Sequence, residues 1–317
     1  MKFAFIVNPA SGQGQHDDSD VVAGLKKLID EGRDDIKYYF TEGQLDASVL
    51  ADAIAKDAAP EDIVIVACGG DGTIQEVAGG VYGNDNAILG VYPCGSGNDF
   101  IRALGGNDAA PTYRDFEKLL KGVPMNMDVM RMTYETESGA DSRIVVNGIN
   151  IGFDGNTAIK AHELKTLPGV SGTLSYVLAV AVNFIGKRGE NLKVFADDKE
   201  IYDGPLLLST VANGGFCGGG FESCPNADIA DGLAEVLVIR DLPRRRLPSL
   251  IPKYMKGKLF QIKNIDDIAV YTRAKKVRVE PNNGEMRFVA DGEEFKTRGI
   301  EVEMLEKAIR VLKIEEA

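Results

Sequence analysis

Short runs of apolar residues alternate with amphipathic stretches along residues 1–130 of the chain. The apolar runs predict buried strands, and apolar residues at helical spacing predict the helices between them. Strands that alternate with helices in this way are typical of a parallel α/β sheet. The predicted strands are Lys2–Val7, Ile36–Thr41, Ile63–Cys68 and Ile88–Pro93, and the predicted helices are Asp20–Glu31, Ala47–Ala58 and Ile74–Val81.

The pattern changes after Met125, where β-branched and aromatic residues predict one strand after another. We therefore expect two domains: an α/β domain over residues 1–130, and a β-rich sandwich or barrel with a few helices over residues 131–317. The stretch from Lys307 onward has no clear period, so a return of the chain end to the first domain stays open. The predicted strands of the second half are Met127–Tyr134, Arg143–Phe153, Leu192–Ala196, Leu206–Ala212, Leu233–Ile239, Ile268–Tyr271, Lys276–Glu280 and Ile300–Leu305, and its predicted helices are Asp154–Leu164, Ser171–Ile185 and Arg244–Gly257.

Three glycine-rich turns, Asn8–Gly12, Gly69–Thr73 and Pro93–Phe100, each follow a predicted strand of the first half. Because the carboxyl ends of parallel strands meet at one edge of a sheet, we expect the turns to converge there. Backbone N–H groups in such turns, and at the helix starts behind them, suit the phosphates of a nucleotide. An ordinary βα turn is the alternative, but Asp71 would repel phosphate unless a cation or a proton transfer explains it. The first turn lacks the GxxxxGK[ST] pattern of a P-loop.

The amino-acid composition argues against several classes of function. The 317 residues are 44% hydrophobic and 26% charged, as in soluble globular proteins, and the net charge of −12 argues against nucleic-acid binding. Four scattered cysteines and two histidines offer little for a disulfide framework, a zinc site or a histidine triad. The start lacks the features of a signal peptide, and the apolar run Thr173–Gly186 is too short to cross a bilayer. We therefore expect a cytoplasmic protein.

The motifs NPASG, GGDGT and GSGND, in this order and spacing, resemble the catalytic domain of the diacylglycerol kinase and sphingosine kinase superfamily, especially its bacterial soluble members. The resemblance continues through MDVMR, NGINIGFDG, NADIADGL and DGE, and so covers nearly the whole chain. It implies an enzyme that uses ATP and Mg²⁺ to phosphorylate a lipid hydroxyl in a cleft between two domains. NAD kinases share GGDGT, so an NAD kinase is one rival reading and a non-catalytic nucleotide-binding or lipid-binding regulator is another.

The resemblance also assigns roles to individual residues. It implies that Asp71 acts through a catalytic magnesium ion, with Asp99 and Asp128 completing an acidic network. It implies that Glu293 accepts the proton of the lipid hydroxyl, with Asp291 beside it. The residues implied to contact the nucleotide are Asn8, Pro9, Ala10, Ser11, Gly12, Thr41, Gly69, Gly70, Asp71, Gly72, Thr73, Glu76, Ser96, Gly97 and Asn98.

A second, structural magnesium ion is implied by the resemblance, held by Asp228, Asp231 and the backbone carbonyl of Leu233. Such hard oxygen ligands suit magnesium. By composition alone, Asp228–Gly232 is better explained as a polar β-turn, and it is the resemblance that reverses this preference. Asp291–Glu293 likewise reads as a DG hairpin turn, which is compatible with a catalytic role.

The segment Arg240–Lys258 holds four arginines and three lysines against one aspartate, a net charge of plus six. It is predicted either to contact an anionic membrane, where a lipid kinase meets its substrate as a peripheral protein, or to be a solvated helix face. Arg102, Lys160 and Lys165 are further candidates for such contacts. Gln13–Gln15 stands where many relatives carry a basic residue. Diacylglycerol is the default substrate, while sphingoid bases, phosphatidylglycerol and other lipid alcohols stay open, as does a homodimer.

Overall fold

Strands and helices of the chain gather into two units in the computed structural model, which describes residues 1–11, 20–95, 97–136, 139–165, 179 and 189–314. Unit 1 comprises Met1–Val129 together with Glu306–Ala317, and unit 2 comprises Met130–Leu305. The chain therefore leaves unit 1 once and re-enters it near its end.

Unit 1 is built on a parallel sheet whose first four strands pair in the order β4–β3–β1–β2. Strands β3 and β4 differ from β1 and β2 in their burial. Both of these strands are buried along their whole length, as expected when helices cover both faces of a parallel sheet. The strands are β1 (Lys2–Val7), β2 (Ile36–Phe40), β3 (Ile63–Gly69) and β4 (Ala87–Pro93). The helices are α1 (Asp20–Asp30), α2 (Asp46–Ala58), α3 (Asp71–Val81), α4 (Asp99–Gly105), α5 (Ala109–Tyr113) and α6 (Phe116–Leu119).

Unit 2 consists mostly of antiparallel strands. Its strands are β5 (Val123–Thr136), which begins in unit 1, β6 (Gly139–Val145), β7 (Gly148–Gly152), β8 (Glu190–Ala196), β9 (Lys199–Ala212), β10 (Ala234–Arg240), β11 (Ala269–Ala274), β12 (Lys276–Pro281), β13 (Met286–Ala290), β14 (Glu293–Thr297) and the first part of β15 (Ile300–Lys313). They pair in the order β14–β13–β7–β9–β8–β12–β15, with β10 joining β9 to β11. Its helices are α7 (Phe153–Lys165) and α8 (Leu247–Met255), with 3₁₀ turns at Arg244–Arg246, Leu259–Gln261 and Ile265–Asp267.

The predicted fold class, an α/β domain followed by a β-rich domain with a few helices, is confirmed. The second half of β15 lies parallel to β4 in unit 1, where Arg310 is paired with Ile88. Arg310 also donates to both carboxylate oxygens of Asp62, at 3.0 and 2.7 Å. No helix in the described part of the chain is long and apolar enough to span a membrane.

Several predicted elements differ from the structure. The strands predicted over Leu206–Ala212 and Ile300–Leu305 are parts of the longer strands β9 and β15. Arg143–Phe153 is wrong as a single strand, because β6 ends at Val145, β7 begins at Gly148 and α7 begins at Phe153. Helix α3 begins at Asp71, three residues before the predicted start. The charged segment predicted as one helix over Arg244–Gly257 is a 3₁₀ turn followed by α8. The predicted helix Ser171–Ile185 lies outside the described residues, apart from residue 179.

Candidate functional site

The first two glycine-rich turns are joined by side-chain hydrogen bonds at the carboxyl ends of β1 and β3. Asn8, directly after β1, donates from Nδ2 to Oγ1 of Thr73 in the first turn of α3, at 2.9 Å. Its Oδ1 accepts the backbone N–H of Ala10 at 2.9 Å, which sets the shape of the NPAS turn. Asn8 therefore uses both ends of its amide to hold this turn against the GGDGT turn.

The second and third turns meet through glycine backbone. The N–H of Cys94 donates to the carbonyl of Gly69 at 2.9 Å. A Cβ on Gly95 would lie 2.7 Å from the Cα of Gly70, which is too close for any side chain. The two glycines thus bring two loops into direct contact, and the N–H of Gly95 also donates to the carbonyl of Gly69, at 3.3 Å.

Two carboxylates converge beside this contact. A Cβ on Gly97 would lie 2.7 Å from Oδ2 of Asp71 and 3.9 Å from Oδ2 of Asp99. Burial raises the pKa of Asp71, while hydrogen bonds from the backbone N–H groups of Phe100, Asn98 and Asp99 act in the opposite direction. Asp71 is therefore a carboxylate held at a helix start, where its charge carries an energetic cost that a bound cation would relieve.

Arg102 and Asn98 complete this part of the site. Arg102 on α4 donates from one guanidinium nitrogen to Oδ1 of Asp99, at 3.2 Å, and to the carbonyl of Gly97. Arg102, predicted as a candidate for lipid contact, is thus engaged in the turn. Asn98 occupies the helix N-cap position at φ 56°, but its side chain makes no capping hydrogen bond, and its buried Oδ1 has no hydrogen-bond partner among the residues that the structure describes. Buried polar atoms are normally hydrogen-bonded, so a bound ligand would supply the partner that this oxygen needs.

Two further predicted nucleotide contacts are Thr41, which directly follows strand β2, and Glu76, which lies on helix α3. The carboxylate oxygens of Glu76 accept the backbone N–H groups of Leu45 and Ala47, at 3.0 and 3.2 Å, at the start of α2. Thr41 is buried, and its N–H donates to the carbonyl of Val7 at 3.0 Å. These contacts show Glu76 fixing the loop after β2. Gly12 and Ser96 lie outside the described residues.

Asp128, the third carboxylate of the predicted acidic network, is fully buried in unit 1. Its Oδ1 accepts the backbone N–H of Lys307 at 2.6 Å, at the point where β15 enters the unit. Lys307 has a φ of 52°, a conformation that interrupts a regular strand. Asp128 therefore anchors a bend in the returning strand.

In unit 2, Asp291 and Gly292 form a two-residue hairpin turn between β13 and β14, with φ values of 44° and 88°. Positive φ at both positions is the signature of a type I′ turn. The buried carboxylate of Asp291 accepts three backbone N–H groups, from Val146 at 2.6 Å, Asn147 at 3.0 Å and Gly148 at 2.9 Å. Asp291 thus holds the break between β6 and β7.

Glu293 begins β14 and is partly exposed, two residues after this buried carboxylate. Its negative charge acts on Arg143 of β6 and favours the charged form of that guanidinium, which raises its pKa. Burial lowers the pKa of Arg143, but Tyr134, Asp141 and Glu293 together outweigh that effect and raise it. Glu293 is therefore a carboxylate on a rigid hairpin with a guanidinium nearby.

Arg143 and Arg273 are site residues that the sequence did not reveal. Nothing local marks either of them, because Arg143 only begins a predicted strand and Arg273 lies between two predicted strands, Ile268–Tyr271 and Lys276–Glu280. The chemistry of each depends on a carboxylate that lies far away along the chain.

The loop predicted to hold a structural magnesium ion is already paired with a cationic side chain, that of Arg273 on β11. Oδ1 of Asp228 and Oδ1 of Asp231 accept the N–H groups of Ala230 and Leu233, each at 3.0 Å. Oδ2 of Asp231 lies 3.2 Å from a guanidinium nitrogen of Arg273. The described part of the chain has no group of three or more His, Cys, Asp or Glu side chains that could hold a metal. These residues therefore fit a structural magnesium ion poorly.

Arg273 binds this loop at two points and strand β10 at a third. Besides Asp231, it donates from Nε to Oε1 of buried Glu235 at 2.8 Å and from a terminal nitrogen to the carbonyl of Asn226 at 2.7 Å. Glu235 also accepts the hydroxyl of Tyr271. One guanidinium thus ties both ends of the loop to β10 and β11.

The catalytic magnesium is a different case, because the turn around Asp71 does fit a metal. Mg²⁺ is commonly held by one or two carboxylates together with substrate phosphates. Asp71 and Asp99 approach the same point beside Gly97, and Asn98 adds an unpartnered oxygen. This set would accept a magnesium ion that arrives with a nucleotide.

Family models match both halves of the chain. Residues 2–132 match the model of the diacylglycerol kinase catalytic domain. Residues 147–313 match the model of the YegS C-terminal NAD kinase beta sandwich-like domain. The chain belongs to the diacylglycerol kinase family of lipid kinases.

Relatives of this kinase cover much of its length. It is 26% identical over 312 residues to a diacylglycerol kinase of Mycobacterium tuberculosis, covering 98% of this chain and 95% of that protein. It is 27% identical over 245 residues to a diacylglycerol kinase of Bacillus subtilis, covering 75% and 74%. A probable lipid kinase, YegS-like, of Serratia proteamaculans is 27% identical over 248 residues, covering 77% and 74%.

A solved structure shows the same fold. The crystal structure of a putative diacylglycerol kinase from Bacillus anthracis superposes on the chain with a TM-score of 0.71 at 21% identity, covering 98% of this chain and 96% of that one. At this level of identity, the similarity concerns the fold of the kinase and not its substrate.

Proposed function

We propose that this kinase transfers the γ-phosphate of ATP to the free hydroxyl of diacylglycerol, with Mg²⁺ as cofactor. The observation that carries the proposal is the contact of two glycine turns, Gly70 against Gly95, with Asp71 and Asp99 converging beside it. The names of the Mycobacterium tuberculosis and Bacillus subtilis relatives support diacylglycerol as the acceptor.

The glycine turns of unit 1 supply the binding step. The amino end of α3, which begins in the GGDGT turn, would place partial positive charge toward a bound triphosphate. Asn8 keeps the first turn in place through its bond to Thr73. Asp71 and Asp99 would hold the magnesium, which when bound neutralises charge on the transferring phosphoryl group.

Glu293 supplies the proton-transfer step of the proposed reaction. The lipid oxygen forms a bond to the γ-phosphorus as the bond from that phosphorus to the oxygen of ADP breaks, and the hydroxyl proton passes to a carboxylate oxygen of Glu293. A carboxylate at a hairpin whose turn is fixed by Asp291 keeps a constant position, as a general base requires. Asp291 acts here as a positioning residue.

The test is transfer of labelled phosphate from ATP to diacylglycerol, sphingosine and phosphatidylglycerol dispersed in neutral detergent, with NAD as a further acceptor. We expect diacylglycerol to be labelled, and Asp71→Asn and Glu293→Gln to reduce turnover by roughly 100-fold to 10,000-fold, as loss of an acid–base or metal-binding group does. Labelling of another lipid would replace diacylglycerol as the substrate. Labelled NADP, or ATP binding without turnover, would refute the lipid kinase reaction for this chain.

Glu294→Gln is the matched control. Glu294 follows Glu293 on the same strand, is exposed and pairs with Arg287 across the hairpin. Adjacent residues of a strand point to opposite faces, so this substitution removes a charge next to the proposed base without altering it. Turnover of this variant should equal that of the wild type.

A further inference from the structure

Helix α8 of unit 2 is anchored by one apolar side. Leu247, Leu250 and Tyr254 recur at i, i+3 and i+7 and are buried in a core cluster that also contains Leu259. The same cluster takes up Leu242, just before the 3₁₀ turn Arg244–Arg246. Since these residues fix one side of the segment to the core, its other side faces outward.

The outward side is basic. Its exposed cations are Arg244, Arg245, Arg246, Lys253, Lys256 and Lys258. Over Arg240–Lys258 the net charge is plus six, whereas the whole chain carries −12. Among the described residues, no carboxylate forms a salt bridge with Arg245, Arg246 or Lys253. We call Arg245, Arg246, Lys253, Lys256 and Lys258 the basic surface.

The concentration of these charges is costly for the folded protein unless they meet an anion. Five like charges on one short segment repel one another. The chain has an excess of acidic residues that could have formed ion pairs with them. Helix α8 also keeps Ile251 and Met255 half-buried beside the cations. A basic face flanked by partly exposed apolar side chains is the pattern of a helix that lies at the surface of an anionic bilayer.

We propose that the basic surface docks the enzyme on anionic phospholipid headgroups. This rests on the proposed function only in that a lipid acceptor resides in a bilayer, where a peripheral enzyme has to reach it from the cytoplasm. Nucleic acid is a weaker fit. Single strands are bound by exposed aromatic rings as well as by charge, whereas Tyr254 is buried and Phe260 half-buried.

The experiment is sedimentation of the full-length protein with vesicles of phosphatidylcholine alone and of phosphatidylcholine with phosphatidylglycerol. Each basic residue near an anionic surface contributes about fivefold to binding, so Arg245→Gln/Arg246→Gln/Lys253→Gln should lower binding to the anionic vesicles by roughly 100-fold. Binding by the wild type should also weaken as ionic strength rises. The melting temperature of the variant reports that it is folded.

The matched control is Lys37→Gln/Lys118→Gln/Lys121→Gln, which removes three exposed positive charges from unit 1. It should bind anionic vesicles as the wild type does. Equal losses in both triple variants, no loss in either, or equal binding of the wild type to neutral vesicles would overturn the proposal. So would tighter binding to an oligonucleotide than to anionic vesicles.

These assays test membrane docking and phosphoryl transfer independently of each other. Phosphoryl transfer in neutral detergent does not depend on an anionic surface, so the basic-surface variant should keep its turnover there. A wild type that binds vesicles but phosphorylates nothing would refute the proposed function and leave the docking intact.

Discussion

Substituting Asp291 by asparagine tests whether its carboxylate stabilises the fold of unit 2. The side chain is 5% exposed and accepts the N–H groups of Val146, Asn147 and Gly148. Oδ2 receives one of these bonds and Oδ1 the other two. An asparagine can keep its oxygen toward only one side, so an amide NH₂ group would face at least one backbone donor.

The magnitude follows from those three bonds. A hydrogen bond to a charged group contributes about 1.5–3 kcal/mol and a neutral one about 1 kcal/mol, so losing one bond and weakening two costs about 3–4 kcal/mol. In a unit of this size, that is a fall in melting temperature of about 10 °C. Asparagine is tolerated at the positive φ of this position, so the turn itself adds little to the cost.

Far-UV circular dichroism of the full-length protein during heating measures the effect, since the chain contains no tryptophan to report on unfolding. Glu293→Gln, two residues away, should melt like the wild type while losing turnover. The reasoning would be refuted if Asp291→Asn melted within about 2 °C of the wild type, because three charge-assisted bonds cannot be altered in a buried site at so small a cost.

Three further predictions concern other contacts. Gly97→Ala places a Cβ 2.7 Å from Oδ2 of Asp71, so the KM for ATP should rise at least about tenfold with little change in melting temperature; an unchanged KM would contradict a nucleotide site here. Chelation by EDTA should leave the melting temperature of the protein unchanged, and a large effect of EDTA would support the structural magnesium after all. Arg273→Gln should lower the free energy of unfolding by about 1–3 kcal/mol, because buried Glu235 loses its cationic partner and keeps only the hydroxyl of Tyr271. The hydrogen bonds from Arg310 lower the pKa of Asp62 below 3.8, so its contribution is present above pH 3.8 and lost as pH falls through the lowered value. In this half-exposed pair the contribution is at most about 1 kcal/mol, and Asp62→Asn should remove that acid-side difference in denaturation curves measured at several pH values.

The elements that the sequence predicted well are those with a local cause. Strands β1 and β3 are apolar runs bounded by turns, and they were predicted within one residue of their observed ends. The fold class follows from the same alternation. The hairpin at Asp291–Gly292 was equally visible, because a DG pair favours positive φ at both positions.

The features that the sequence did not predict depend on contacts between distant residues. The break between β6 and β7 is stabilised by Asp291, which lies 145 residues from Val146 along the chain. Glu76 reaches back 31 residues to fix the start of α2, which no motif indicates. Motifs pointed to the carboxylates of the candidate site, whose roles stay predictions, but their hydrogen-bond partners could come only from the folded chain.

The last strand has a consequence for the order in which this protein is completed. Residues 306–314 lie in unit 1, beside β4, and are held there by Asp128, Asp62 and the hydroxyl of Tyr113. During synthesis, β4 therefore stays an open sheet edge until all of unit 2 has left the ribosome. Unit 1, although it is begun first, is completed only when residues 306–314 have been made, and until then its edge at β4 could pair with another chain.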